Sequence, residues 1–82
     1  MSRLVVIADA DLKRAERLRE ACAVRGYTTH ICPNGAAALE TALREVPDVL
    51  ITADPLELID AARLVEILRA NPRTRRVRFV FV

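Results

Sequence analysis

Short apolar runs alternate with longer amphipathic stretches along the whole chain. Leu4 to Ile7 is an unbroken aliphatic run, and Val49 to Ile51 is a second one, entered through Pro47-Asp48. Runs of this length, rich in β-branched residues, are typical of strands buried on both faces of a parallel sheet. Tyr27 to Cys32 is a more polar strand suited to a sheet edge, and Val77 to Val82 is a fourth strand.

Two of the intervening stretches are predicted as helices with clear ends. Asp11 is a good N-cap for a helix that begins at Leu12, and Gly26 ends that helix. Asn34-Gly35 forms either a turn or a helix cap before a second helix, from Ala36 to Glu45. Apolar residues recur at spacings of three and four: Leu12, Ala15, Leu18, Ala21 and Cys22 in the first helix, and Ala38, Leu39, Ala42 and Leu43 in the second.

The start of the third helix has two candidates. Asp54-Pro55 followed by Glu57 is a strong start signal, because it combines an Asp cap, a proline at the first helical position and an acid at the third. We favour this start, and Asp60 is the alternative if residues 54–59 form a loop. Asn71-Pro72 stops the helix. The predicted buried positions are Leu58, Ala61, Ala62, Val65 and Leu68.

The resulting order, β-α-β-α-β-α-β, predicts an α/β fold with a doubly wound parallel sheet. Parallel strands joined by helices require right-handed crossovers. Functional residues in such sheets lie just beyond the carboxyl ends of the strands. The side chains to examine are therefore Asp9 and Asp11 after the first strand, and Thr52, Ala53 and Asp54 after the third.

Composition narrows the class of protein. The chain has 82 residues, a length that predicts one domain, and 52% of them are hydrophobic. Its net charge of +2 gives no argument for binding nucleic acid. The two cysteines form no metal motif, and free thiols are expected. No apolar run approaches the length of a membrane helix and no signal peptide is recognisable, so we expect the cytoplasm. With only two glycines, no glycine-rich phosphate loop exists, and no enzyme signature is found.

Arginines without an intervening acid cluster near the end of the sequence. Two interpretations are open for them. A solvated loop is the one we favour, and a surface for an anionic partner is the alternative. The residues are Arg69, Arg73, Arg75, Arg76 and Arg78.

Five short motifs, in this order, resemble the receiver domain of bacterial two-component response regulators. They are the acidic residues after the first strand, Gly26-Tyr27, Asn34-Gly35-Ala36-Ala37-Ala38-Leu39, Pro47-Asp48-Val49-Leu50-Ile51 and Arg69-Ala70-Asn71-Pro72. The resemblance covers residues 1–82 but only the first two-thirds of the family's domain. It implies a partial flavodoxin-like (CheY-like) fold with strand order 2-1-3-4, truncated after the fourth strand.

The resemblance also implies a site. In the family, an aspartate at the end of the third strand accepts a phosphoryl group from a histidine kinase, and Mg²⁺ is held there by an acidic pair after the first strand. The acceptor position falls on Ala53, whether counted forward from Pro47 or back from Asn71-Pro72. A methyl group cannot be phosphorylated. The acidic pair falls on Ala8 and Asp9, or on Asp9 and Ala10, so one member is alanine in either case.

Two functions are compatible with the alanine at the acceptor position and the alanine in the acidic pair. The first, which we favour, is a pseudo-receiver that acts in signal transduction by protein–protein interaction, without phosphorylation, enzyme activity or cofactor. The alternative is a phosphorelay receiver that accepts phosphate on Asp54 or Asp9 with weakly bound Mg²⁺, for which Asp9 and Asp11 are the weak candidate ligands. Strand alternation argues against Asp54, because a slip of one residue turns a side chain to the other face.

The fourth strand predicts the mode of assembly. In the order 2-1-3-4 it is a sheet edge, which the family covers with a fifth strand. An exposed apolar edge is a template for pairing with another chain. We therefore expect a homo-oligomer joined through the fourth strand, with Phe79, Phe81 and Val82 at the interface. A protein partner is expected, and neither nucleic acid nor a membrane.

Overall fold

Four strands and three helices alternate along residues 3–82, which a computed structural model describes. Met1 and Ser2, included in the predicted domain, lie outside the described residues. The strand bounds agree with the predictions to within one residue at each end. The elements are β1 (Arg3–Ala8), α1 (Leu12–Val24), β2 (Tyr27–Cys32), α2 (Gly35–Glu45), β3 (Val49–Thr52), α3 (Ala61–Ala70) and β4 (Arg78–Phe81).

All four strands form one parallel sheet in the order β2-β1-β3-β4. At the carboxyl end of the sheet, Ala8 of β1 pairs with Cys32 of β2 and with Thr52 of β3. Thr52 in turn pairs with Phe81 of β4. The predicted strand order is confirmed.

A hydrophobic core lies on each face of the sheet, as expected for a doubly wound fold. Helix α1 covers one face, where Ala15 packs with Val5, Ile7 and Ile51. Helices α2 and α3 cover the other face. The buried residues there are Val6, Ala8, Cys32, Ala38, Ala42, Leu50, Leu56, Ala61, Leu64, Leu68 and Val77.

The predicted apolar face of α1 was too wide. Ala15 is buried and Leu18 and Cys22 are half-buried, but Ala21 is exposed and Leu12 is 65% exposed. Ala21 lies about 120° around the helix from Ala15, at 100° per residue, and so points away from the sheet. Both cysteines are free, as predicted. Burial raises the pKa of the Cys32 thiol.

Helix α3 begins at the alternative start, and the favoured cap at Asp54 was wrong. Asp60 is the N-cap, and its Oδ1 accepts a hydrogen bond from the backbone N–H of Arg63 at 2.8 Å. The predicted buried face changes accordingly. Leu58, outside the helix at a φ of 72°, is 79% exposed, and Ala62 is exposed. Ala61 and Leu68 are buried as predicted and Val65 is half-buried, while Leu64, which was not predicted, is also buried.

The segment between β3 and α3 is a loop because the start of α2 holds it. The backbone N–H of Gly35 donates to the carbonyl of Glu57 at 3.1 Å. A Cβ at position 35 would lie 1.7 Å from the Ile59 carbonyl oxygen, so only glycine permits this approach. Asn34 caps α2, with its Oδ1 accepting from the Ala37 N–H at 2.8 Å. A contact between distant elements therefore overrides the local start signal at Asp54-Pro55.

Candidate functional site

Asp9 and Ala53 lie side by side just beyond the carboxyl ends of β1 and β3. Their neighbours Ala8 and Thr52 form the last pair of the two strands, and the Ala53 N–H donates to the Ala8 carbonyl at 3.0 Å. Both residues are buried. Since side chains alternate along a strand, Asp9 and Ala53 project towards the face that α1 covers. The register thus brings the predicted acid and the predicted acceptor position together.

Arg14, in the first turn of α1, binds both oxygens of the Asp9 carboxylate. Its Nε donates to Oδ2 at 2.6 Å and its Nη2 donates to Oδ1 at 2.9 Å. The backbone N–H of Asp11 also donates to Oδ1, at 2.8 Å. The Asp9 side chain is 0% exposed, whereas that of Arg14 is 37% exposed. This two-pronged geometry is the strongest form of a carboxylate–guanidinium pair.

The pair fixes the charge of the site. The hydrogen bonds from the Arg14 side chain lower the pKa of Asp9, burial opposes them, and the Asp11 N–H adds to the lowering. The same contact raises the pKa of Arg14. Asp9 is therefore an anion at neutral pH, with its countercharge supplied by the protein itself.

Asp11 acts as the predicted helix cap. Its Oδ1 accepts a hydrogen bond from the backbone N–H of Arg14 at 3.1 Å. The side chain is exposed. Of the two weak candidate ligands for a metal, one is thus engaged in capping α1 and the other is paired with Arg14.

The residues of this site do not fit the Mg²⁺ that the resemblance implies. Mg²⁺ takes oxygen ligands in octahedral geometry, usually from more than one carboxylate or from carboxylate and phosphate. Here both oxygens of Asp9 accept from Arg14, and position 53 offers a methyl group. Within the described range 3–82, no group of three or more His, Cys, Asp and Glu side chains could hold a metal ion.

Asp54 is separated from this arrangement by its place in the chain. It follows Ala53, so the alternation of side chains takes it away from the face that holds Asp9. Its side chain is exposed, in the loop before α3.

Arg14 is the residue that sequence reasoning missed. The available signal was an arginine five residues after Asp9, in the first turn of the helix that Asp11 caps. Spacing alone does not show that the guanidinium turns back over the strand end, because that depends on the angle between β1 and α1.

Solved structures with the same fold are response-regulator receiver domains. The chain superposes on the receiver domain of a histidine kinase from Syntrophus aciditrophicus with a TM-score of 0.91 and 22% identity, covering 99% of this chain and 61% of that one. A response regulator of Chloroflexus aurantiacus superposes with a TM-score of 0.92 and 27% identity, covering 99% of this chain and 66% of that one. The receiver domain of the sensor histidine kinase PA1611 of Pseudomonas aeruginosa superposes with a TM-score of 0.90 and 17% identity, covering 99% of this chain and 66% of that one. That structure has a magnesium ion coordinated in its active-site cleft.

These similarities establish the flavodoxin-like (CheY-like) fold that the sequence predicts. The chain spans between 61% and 66% of the length of these three structures. No protein-family model and no curated protein matches its sequence. Among residues 3–82, no helix has both the length and the apolar character needed to cross a membrane.

Proposed function

We propose that this chain is a pseudo-receiver, a signalling module that works through protein–protein contact and takes no phosphoryl group at the acceptor position. The observation that carries this proposal is the methyl group of Ala53, buried beside the Asp9–Arg14 ion pair. Phosphoryl transfer to a receiver requires a carboxylate oxygen at that position as the nucleophile. Position 53 has none.

The electrostatics of the site support the same conclusion. A phosphoryl group in transfer needs cationic charge that is free to neutralise its oxygens. The Arg14 guanidinium is already bound through two hydrogen bonds to Asp9. We infer that Arg14 keeps Asp9 ionised at neutral pH, so that the site has a structural role and does not switch.

A phosphorelay receiver that uses Asp54 or Asp9 is the second candidate. The exposure of Asp54 to solvent favours it, because a small phosphodonor could reach that carboxylate. Asp9 would first have to give up its contacts with Arg14, which makes it the weaker acceptor of the two.

The proposed partner is another protein, and the fourth strand is the surface we propose for self-association. Within residues 3–82, β4 pairs with β3 alone. Val80, Phe81 and Val82 are 44%, 61% and 54% exposed. Phe79 is half-buried against the core and stacks on Phe81, with ring centroids 6.4 Å apart. The apolar part of the proposed interface is therefore carried by Phe81 and Val82 more than by Phe79.

Incubation with acetyl phosphate and Mg²⁺, followed by intact-protein mass spectrometry, tests the function. We expect no added phosphoryl mass on the 82-residue chain. A stoichiometric adduct that disappears in Asp54→Asn, or in Asp9→Asn, would overturn the proposal in favour of the phosphorelay receiver and would identify the acceptor.

A further inference from the structure

A basic cleft of about 740 Å³ opens at the end of the sheet opposite to Asp9 and Ala53. It lies where the strands begin, at the turns that lead into β3 and β4. Its volume falls within the usual range for small-molecule sites, about 300–1,000 Å³. The residues around it are Arg3, Tyr27, Val46, Pro47, Asp48, Val49, Arg73, Arg76, Val77 and Arg78.

The sheet register brings two of the cleft arginines onto one face. Arg3 pairs with Tyr27 across β1 and β2, and Val49 pairs with Arg78 across β3 and β4. Val5, two residues after Arg3, pairs with Val49, so these side chains share the face that α1 covers. The turn before β4 adds Arg73 and Arg76, whose side chains are exposed.

The cleft carries an excess of positive charge. Its one carboxylate, Asp48, accepts a hydrogen bond from the Leu4 N–H at 2.8 Å through Oδ2. Across residues 3–82, none of the four cleft arginines forms an ion pair. By contrast, the arginines that do form ion pairs all lie outside the cleft: Arg14, Arg19, Arg44 and Arg63.

The arginine cluster seen in the sequence is thereby divided into two parts. Arg69 is exposed but lies outside the cleft, and its guanidinium lies 4.9 Å from the centroid of the Phe79 ring. It also donates to the Arg75 carbonyl. Arg73, Arg76 and Arg78 line the cleft. For these three arginines we therefore take up the second interpretation of the cluster, a surface for an anionic partner.

We propose that this cleft binds a small molecule with at least two linked phosphate groups attached to an organic body. Guanidinium groups match phosphate oxygens with two parallel hydrogen bonds, and four like charges around one cavity favour a multiply charged anion. Tyr27, Val46 and Pro47 also line the cleft and offer apolar and aromatic contact to the organic part. A nucleoside diphosphate has both features.

This site is separate from the proposed function. It uses none of Asp9, Arg14 or Ala53, and it lies at the other end of the sheet. Failure of either proposal therefore leaves the other unaffected.

Isothermal titration calorimetry of the 82-residue chain, at about 0.15 M salt without divalent ions, tests the inference with ADP, pyrophosphate and adenosine. We expect ADP to bind with a dissociation constant below about 1 mM, pyrophosphate more weakly, and adenosine not measurably. Raising the salt concentration weakens binding, since charge interactions at an open cleft are screened.

Two double variants distinguish binding in the cleft from a general effect of the net positive charge. Arg73→Gln/Arg76→Gln alters two exposed turn residues and should weaken ADP binding about tenfold or more, since two charge-assisted hydrogen-bonding groups are lost. The control Arg17→Gln/Arg63→Gln removes the same net charge outside the cleft, and should change the affinity less than about threefold. Arg78→Gln is a second test within the cleft, and circular dichroism checks that each variant is folded.

Several results would overturn the inference. They are no measurable ADP binding, equal weakening in cleft and control variants, or pyrophosphate binding at least as tightly as ADP, which would leave the organic body without a role. Tighter binding of a short single-stranded oligonucleotide or an acidic peptide than of ADP would replace the small molecule with a macromolecular partner.

Discussion

Arg14, in the first turn of α1, donates two hydrogen bonds to the buried carboxylate of Asp9, from Nε to Oδ2 at 2.6 Å and from Nη2 to Oδ1 at 2.9 Å. The pair sits beside Ala53, at the edge of the sheet where the resemblance places a metal ion and a phosphoryl acceptor. An arginine cannot dissociate from the protein as a metal ion can. At neutral pH the protein itself therefore supplies the countercharge of Asp9.

Removing Arg14 should destabilise the fold. In Arg14→Met, the Asp9 carboxylate stays buried without its cationic partner, which is a costly arrangement. We expect the melting temperature to fall by on the order of 5 °C, read by thermal circular dichroism. Arg17→Met is the matched control, since Arg17 is exposed on the same helix and forms no ion pair within residues 3–82. Equal effects in the two variants would mean that the Asp9 contact contributes no stability.

The Asp9–Arg14 pair should make stability depend on acid pH. Arg14 lowers the pKa of Asp9 in the folded chain relative to about 3.9 for a free aspartate. The stabilisation is therefore fully present above about pH 4 and is lost as the pH falls through the folded pKa. The difference in unfolding free energy between the chain and Asp9→Asn, from urea unfolding at pH 7 down to pH ~2, measures this. This difference in unfolding free energy should decrease only below about pH 4. A difference that disappears between neutral pH and about pH 5 would contradict a lowered pKa for Asp9.

Restoring a carboxylate at position 53 should not restore phosphotransfer. Ala53→Asp supplies the nucleophile, but its neighbour Asp9 remains bound to Arg14, and the second acid is still absent. We expect no stoichiometric adduct with acetyl phosphate, and Mg²⁺ binding no tighter than about 1 mM by calorimetry. Ala53→Asn controls for the added bulk in this buried position. Full phosphorylation of Ala53→Asp would show that Arg14 yields its place to a metal.

The two candidate caps of α3 should respond differently to truncation. Asp60→Ala removes the acceptor for the Arg63 N–H and should cost about 1 kcal/mol of stability. Asp54→Ala lies in the preceding loop and should change stability by less than about 0.5 kcal/mol. Urea unfolding measures both variants. A larger loss in Asp54→Ala would place the start of the helix at Asp54 after all.

The proposed self-association should depend on Phe81. A lysine at this exposed edge position introduces charge into the apolar contact and is a common natural means of blocking strand pairing. We expect light scattering at tens of micromolar to detect an oligomer of the 82-residue chain, and Phe81→Lys to reduce it to monomer. Val24→Lys is the control, since Val24 is 88% exposed at the far end of α1. A monomer that Phe81→Lys leaves unchanged contradicts self-association through β4.

The sequence by itself determined those features that depend on near neighbours. Strand and helix order follows from apolar runs and from their spacing, and the predicted cap at Asp11 is a hydrogen bond to a residue three positions on. Asn34, for which a turn and a cap were both open, caps α2 in the same way. Ala53 could be placed at the end of β3 by counting alone, because the strands and their bounds are locally specified. The arrangement 2-1-3-4 came from the resemblance, and the register confirms it.

Only the tertiary structure decided the features that depend on distant parts of the chain. The loop before α3 packs against Gly35, which is far away in sequence and, having no Cβ, leaves room for the Ile59 carbonyl oxygen. Arg14 reaches Asp9 because of the angle at which α1 follows β1. The arginines of the turn before β4 line the same cleft as Arg3 because β1, β3 and β4 are consecutive strands of the sheet. Local propensity carries a few kcal/mol at most, and packing between elements outweighs it wherever the two disagree.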